Sequence, residues 1–240
     1  MDQEEKISEY KELASNYDNQ VKEYDSYAHN IIFGMSFEFV NADEKLLDIG
    51  IGTGLASILF SKAGLKIYGL DASQEMLNAC QSKSFTQALS LYNMADERIP
   101  YEDQCFNHVI CCGALHFVGD LANLFAEVRR VMKKGGLFAF TIAPQETEAG
   151  YIKEATSWGV PIFKHSLPYI MGLLGKNGLE LKKEQRLLIK GADKVNYDMF
   201  FFGPDLQMSV NVVQKNLVIS SALRRTAISA TYTQYSVSKY

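Results

Sequence analysis

The chain has 240 residues, of which 47% are apolar and 22% charged, with a formal net charge of −4. That length suits one large domain around a buried sheet, while the acidic balance argues against nucleic acid as the main partner, because phosphate contacts call for a basic surface. No apolar stretch reaches the ~20 residues of a membrane span, the start Met1-Asp2-Gln3-Glu4-Glu5 does not read as a signal peptide, and the four cysteines lack zinc-ligand spacing, as small buried thiols of a reducing cytoplasm would.

In chain order, residues 1–44 come first. They are acid-rich and place Tyr10, Ala14, Tyr17, Val21 and Tyr24 at helical steps. Leu46 to Ile49 reads as a buried strand delivering Asp48 and then Gly50, Gly52 and Gly54 on alternate positions. Leu55, Ile58, Leu59 and Phe60 mark the helix behind it. Glycine at such a turn lets a ligand lie against bare backbone. Ile67 to Leu70 is a second strand, ending in Asp71, where Rossmann-type sheets place a carboxylate that accepts hydrogen bonds from a ribose. Phe106 to Cys112 reads as the fourth strand and Gly113 to Phe117 as the loop after it. Leu124 to Met132 is a helical pattern closed by Lys133, Lys134, Gly135 and Gly136, a common C-terminal stop. Leu137 to Ile142 is the fifth strand. The run from His165 to Ile170 opens a last helix, with Ser166 placed as its cap and Ile170, Leu173 and Leu174 along it. Leu179 to Leu188 then reads as a strand, with Tyr197 to Phe202 as its antiparallel partner. The tail from Gly203 onward is rich in Ser, Thr and Val and shows no chemistry; an extra surface helix with a loose end is the expectation.

The run Asp48-Ile49-Gly50-Ile51-Gly52-Thr53-Gly54 resembles D-x-G-x-G-x-G, the first motif of class I S-adenosylmethionine (SAM) methyltransferases. Dinucleotide enzymes favour G-x-G-x-x-G, whose third glycine is replaced here by Leu55. Gly69-Leu70-Asp71-Ala72-Ser73 with Met76 resembles the family's second motif. Ala95-Asp96-Glu97-Arg98-Ile99-Pro100 resembles the segment whose acid bonds the adenine amino group, and Gly113 to Phe117 falls where the family's active-site loop lies. The whole is similar to small-molecule methyltransferases of type 11/25. Tyr10-x-x-x-Ala14-x-x-Tyr17-Asp18-x-x-Val21 faintly resembles the lid of the Williams–Beuren-region and tetratricopeptide-linked predicted branch.

The resemblance implies an α/β, Rossmann-like, seven-stranded and mostly parallel sheet, with a helical lid over residues 1–44, a methyltransferase domain over 45–203 that ends in a β-hairpin, and an extension over 204–240. It implies SAM as cofactor. Tyr17 is expected on the lid, Asp48, Gly50, Ile51, Gly52, Thr53 and Gly54 around the methionine end, and Asp71, Ala72 and Met76 at the ribose. Asp96, Glu97 and Cys112 complete the set, and no metal is expected.

The acceptor follows less directly. An Asn/Asp-Pro-Pro-Tyr/Phe motif is missing after the fourth strand, where Cys112-Gly113-Ala114-Leu115 stands; this weakens base and glutamine amide N-methylation. A small-molecule acceptor is expected, without nucleic-acid or membrane partners. His116 is the catalytic candidate, either a general base titrating near neutral pH or a shaper of the pocket. His165, Tyr169 and Trp158 are weighed as substrate contacts or as packing. The rival readings are a SAM-binding regulatory or partner subunit without catalysis, a nicotinamide oxidoreductase, and a protein or RNA methyltransferase.

Overall fold

A computed structural model of the chain describes residues 14, 16–24, 26–95, 98–146, 150–156, 160–188 and 207–215, and side chains in these segments up to residue 185. A helical stretch over residues 16–23 leads to α1 (Ala28–Ser36) and a 3-10 turn, Phe37–Phe39. The alternating part follows as β1 (Lys45–Ile49), α2 (Ser57–Lys62), β2 (Lys66–Asp71), α3 (Gln74–Gln81), β3 (Thr86–Leu91), β4 (Phe106–Cys111), α4 (Ala122–Val131) and β5 (Met132–Ile142). Then come β6 (Pro144–Gln145), β7 (Tyr151–Glu154), β8 (Ile162–Ser166), α5 (Leu167–Lys176), β9 (Leu179–Leu188) and β10 (Gln207–Lys215). No helix among the described residues is long and apolar enough to cross a membrane.

The main sheet has the order β3-β2-β1-β4-β5-β10-β9. Its first five strands are parallel, and β10 runs antiparallel to both β5 and β9. Successive side chains of a strand point to opposite faces, so each apolar strand serves two cores. Leu46 and Ile110 lie in one cluster with Ile32 of α1, Phe60 of α2 and Leu77 of α3. Leu47 and Val109 lie in the other, with Phe125 of α4 and Leu173 of α5. Phe125 packs edge-on against Phe138 and Phe140, with ring centroids 5.5 and 5.4 Å away. Burying each such ring contributes roughly 1.5–3 kcal/mol. With both faces covered, β1, β4 and the second half of β5 read as largely apolar runs.

Four features differ from the expectation. Lys133 to Gly136 do not stop a helix; α4 passes into β5 at Met132. Phe106 pairs with Met132 and His108 with Leu137, so the basic and glycine residues are absorbed as a bulge within the strand. His165 does not open the last helix; it ends β8, and Ser166 alone caps α5 by accepting the Tyr169 N–H at 3.3 Å. The insert between β5 and α5 builds a sheet of its own, β6-β8-β7. Finally, the strand that pairs with β9 is Gln207–Lys215, from the region assigned to the extension, with a bulge between Val212 and Val213. Tyr197 to Phe202, expected in that place, lie outside the described residues, as do 216–240.

Candidate active site

In an open α/β sheet, ligands lie beyond the carboxyl ends of the strands, where the strand order reverses. Here that point falls between β1 and β4. A cavity of about 730 Å³ opens there, lined among others by Tyr17, Asp48, Gly50, Ile51, Gly52, Asp71, Ala72, Met76, Cys112 and His116. These ten sequence-predicted residues are thus brought together. Thr53 and Gly54 do not line it, and Asp96 and Glu97 lie outside the described residues.

The three glycines of the β1–α2 turn have different tasks. A Cβ on Gly50 would come within 2.5 Å of the Ala114 Cβ, and one on Gly54 within 2.5 Å of the Phe85 ring and 2.9 Å of the Cys80 Sγ. Both serve packing. Gly52 has φ +55° and nothing within 4 Å of where its Cβ would sit. It leaves open space on the cavity side, as expected of a glycine that a ligand approaches.

Asp48 is 1% exposed. Its Oδ2 accepts from the Ser57 hydroxyl at 2.6 Å, whereas its Oδ1 has no hydrogen-bond partner. Burial and the nearby Asp71 charge push its pKa up to about 7, although the Ser57 bond opposes the shift. A buried carboxylate oxygen without a donor costs on the order of 1–3 kcal/mol or more. A cationic or donor group in the cavity would remove that cost.

Asp71 ends β2 and is half-buried. Its Oδ2 accepts the Gly52 N–H at 2.7 Å and its Oδ1 the Ser73 N–H at 2.9 Å. Burial raises its pKa and these bonds pull against it. The carboxylate therefore braces the glycine turn against β2 and keeps lone pairs for a ligand. Ser73 caps α3 by accepting the Met76 N–H, which sets Met76 on the cavity wall.

His116 sits on the 3-10 turn Leu115–Phe117, 2% exposed, with its ring 4.1 Å from that of Phe117. Burial and the neighbouring His165 push its pKa down to about 3, so the ring is neutral at ordinary pH. His165 and Tyr169 turn away from the cavity. His165 Nε2 donates toward the Val118 and Gly119 carbonyls, 3.0 Å from each. The Tyr169 hydroxyl accepts the Leu121 N–H and donates to Asp120. Both hold the loop that carries His116. Trp158 lies outside the described residues.

Other contributors carry no local sequence signal. Asp18 accepts the Thr53 hydroxyl at 2.5 Å and pairs with Lys83, tying the 16–23 stretch to the glycine turn and to the end of α3. The same stretch sets Tyr17 and Val21 on the cavity wall, and α1 adds His29. Tyr17 is half-buried, and its pKa is raised by burial and by Cys112, Asp71 and Asp18.

A family model described as a methyltransferase domain matches residues 47–140, the segment from β1 to β5 that builds this cleft. Residues 47–140 thus carry a methyltransferase domain. Over 137 residues the chain is 34% identical to demethylmenaquinone methyltransferase of Chlorobaculum tepidum, covering 56% of this chain and 54% of that one. It is 32% identical over 139 residues to the biotin biosynthesis bifunctional protein BioHC of Saccharophagus degradans, covering 55% and 25%. The chain thus spans about half and a quarter of the lengths of these relatives. The fold of the methyltransferase domain is shared with the Burkholderia thailandensis 1,6-didemethyltoxoflavin-N1-methyltransferase bound to its substrate and S-adenosylhomocysteine, at TM-score 0.63 and 14% identity, covering 89% of each chain.

Proposed function

We propose that this chain transfers a methyl group from SAM to a small-molecule acceptor. The observation that carries the reading is the convergence of the unpartnered Asp48 oxygen, the open face of Gly52 and the Asp71 carboxylate on one cavity at the switch point of the sheet. Asp48 would hold the ammonium of the methionine end, and Asp71 the ribose hydroxyls. Asn93, Met94 and Ala95, on the wall after β3, lie on the adenine side; Asp96 and Glu97 belong to the same segment. SAM supplies the reactive methyl group, so the task of the chain is to hold an acceptor in line with it and exclude water. The 16–23 stretch, latched by Asp18, is assigned as the lid. His116 is assigned as a neutral hydrogen-bonding group on the wall; a base with a pKa of about 3 holds a transferred proton too weakly to carry it away from a hydroxyl. Two of the similar proteins are named for small-molecule methylation, of demethylmenaquinone and of 1,6-didemethyltoxoflavin, which supports the choice of acceptor class.

Calorimetric titration with SAM and with NAD, followed by transfer of labelled methyl from SAM into a metabolite extract, tests the proposal. SAM binding with NAD excluded and label in a low-mass product is the expected result. Binding without transfer would leave a SAM-binding subunit, and NAD binding in place of SAM would overturn the reading. Asp18→Ala should weaken SAM by about 3- to 10-fold, as loss of one charge-assisted contact does; an unchanged affinity would remove the lid assignment.

A further inference from the structure

The cavity walls fall into two chemically different parts. Asp48, Gly52, Asp71 and the residues after β3 account for the part assigned to SAM. The other is walled by Val21, Ala28, Phe117, Val118, Gly119 and Phe163. Besides Tyr17 and Cys112, the polar side chains of the remaining wall are Ser26, His29 and His116. Burial holds both imidazoles below their ordinary pKa, so they offer hydrogen bonds rather than charge.

No Lys or Arg stands among the described residues of the cavity wall. The carboxylates there, Asp48, Asp71 and Glu75, all belong to the cofactor side. An anionic substituent drawn into the acceptor part would lose its water, gain no counter-charge and face those carboxylates, an unfavourable balance for any buried charge.

This wall is built rather than incidental. Gly119 has no side chain, and a Cβ there would lie 2.7 Å from the Tyr151 ring and 2.9 Å from the Phe163 ring. The insert sheet therefore closes directly onto the backbone of the β4–α4 loop. Tyr151 and Phe163 meet edge to face at 5.9 Å. His165, stacked on Tyr169, fixes the same loop through the Val118 and Gly119 carbonyls. Phe117 and Phe163 thus offer aromatic surface from two elements held in a fixed relation, and flat rings stack well on such surface.

We propose that the acceptor is an uncharged, planar ring compound, such as a phenol, a hydroquinone or a heterocycle with a ring N–H, and that the pocket selects against carboxylated or phosphorylated counterparts. The assignment rests on the methyltransferase reading for what the bound ring does, not for what the pocket prefers.

The test is binding to the full chain saturated with S-adenosylhomocysteine, measured by calorimetry for 2-naphthol, 2-naphthoate, 2-naphthyl phosphate and the saturated, non-planar decahydro-2-naphthol. We expect 2-naphthol to bind at least about ten-fold more tightly than the other three, a difference of about 1.4 kcal/mol. Phe163→Ala should weaken 2-naphthol by about five-fold or more and leave S-adenosylhomocysteine within about two-fold, since one stacked ring contributes about 0.5–1.5 kcal/mol beyond its area. Naphthoate or naphthyl phosphate binding as tightly as naphthol, decahydronaphthol matching it, no naphthol binding up to its solubility limit, or an indifferent Phe163→Ala would each overturn the inference. If S-adenosylhomocysteine itself fails to bind, the methyltransferase reading falls, and the same comparison in the ligand-free chain still decides what the pocket prefers.

Discussion

The two ends of the parallel sheet handle polar groups in opposite ways. At the amino end, Glu44 accepts the Asn41 N–H and pairs with His108 Nε2, both at 2.7 Å. The other ring nitrogen of His108 accepts the Leu137 N–H at 3.4 Å, and Asn107 Oδ1 receives the Lys45 N–H and the Lys133 ammonium. Burial alone would raise the Glu44 pKa, but the bonds from His108 and Asn41 outweigh it and hold it low. At the carboxyl end, Asp48 and Asp71 are raised, and one oxygen of Asp48 has no donor. A satisfied charge network stabilises the fold; a buried carboxylate left short of donors destabilises it unless a ligand completes it. The same sheet therefore satisfies its polar groups at one end and leaves them open to a ligand at the other.

The strongest way to break this contrast is at Asp71. Asp71→Ala should weaken SAM binding by about 10- to 1000-fold, the equivalent of one or two hydrogen bonds to a charged group. The Gly52 and Ser73 N–H groups also lose their acceptor, so circular dichroism must confirm the fold. Equal calorimetric affinities would show that Asp71 braces the turn and does nothing else.

Asp48 sharpens the contrast through pH. Its pKa in the folded protein is raised from 3.8 to about 7, so its contribution to the stability of the ligand-free fold is fully present below pH 4 and is lost as pH rises through 7. Asp48→Asn should then raise the melting temperature at pH 8 by several degrees and change it little at pH 4. A bound ammonium favours the ionised form, so SAM affinity of the wild type should climb as pH rises through about 7, while that of Asp48→Asn stays flat. Parallel pH profiles for the two would remove Asp48 from the methionine end.

The smallest effect on the site is expected from the far end. Glu44→Gln, which keeps one acceptor oxygen at a partly exposed site, should lower stability by about 0.5–1.5 kcal/mol in denaturant unfolding and leave SAM affinity unchanged. Because the Glu44 pKa is depressed, its contribution is present above the ordinary carboxylate range and is lost as pH falls below it, opposite in sign to Asp48. A change in SAM affinity would mean that the two ends are coupled.

Much of the cleft could be read from local spacing. A strand, a glycine turn and a helix are encoded within a dozen residues, so Asp48, Gly52 and Asp71 could be placed without any long-range contact. The Ser166 cap is of the same kind. What could not be read depends on distance in the chain. Nothing near Asp18 tells that it meets Thr53, nor does anything near His29 tell that it faces the cleft. The insert strands are short, and all of Tyr151–Glu154 is exposed, so they lack the alternation that marks a half-buried strand. Lys133 to Gly136 fit a helix stop as well as a bulge, and only pairing with β4 distinguishes the two. Gln207–Lys215 did carry a signal: Met208, Val210 and Val212 alternate along a strand that fills a place expected of Tyr197 to Phe202.

The position of β10 also bears on how the chain is made. This strand lies between β5 and β9, so the hydrogen-bonding edge of β5 stays bare until residues 207–215 have left the ribosome. Some seventy residues separate the end of β5 from the end of β10, about 4–14 s of synthesis at ordinary elongation rates. During that interval the strand holding Phe138 and Phe140 presents an open, apolar edge, the kind of surface that invites pairing with another chain. The nascent protein thus carries an open sheet edge after residues 45–142 have been translated and before its sheet is closed.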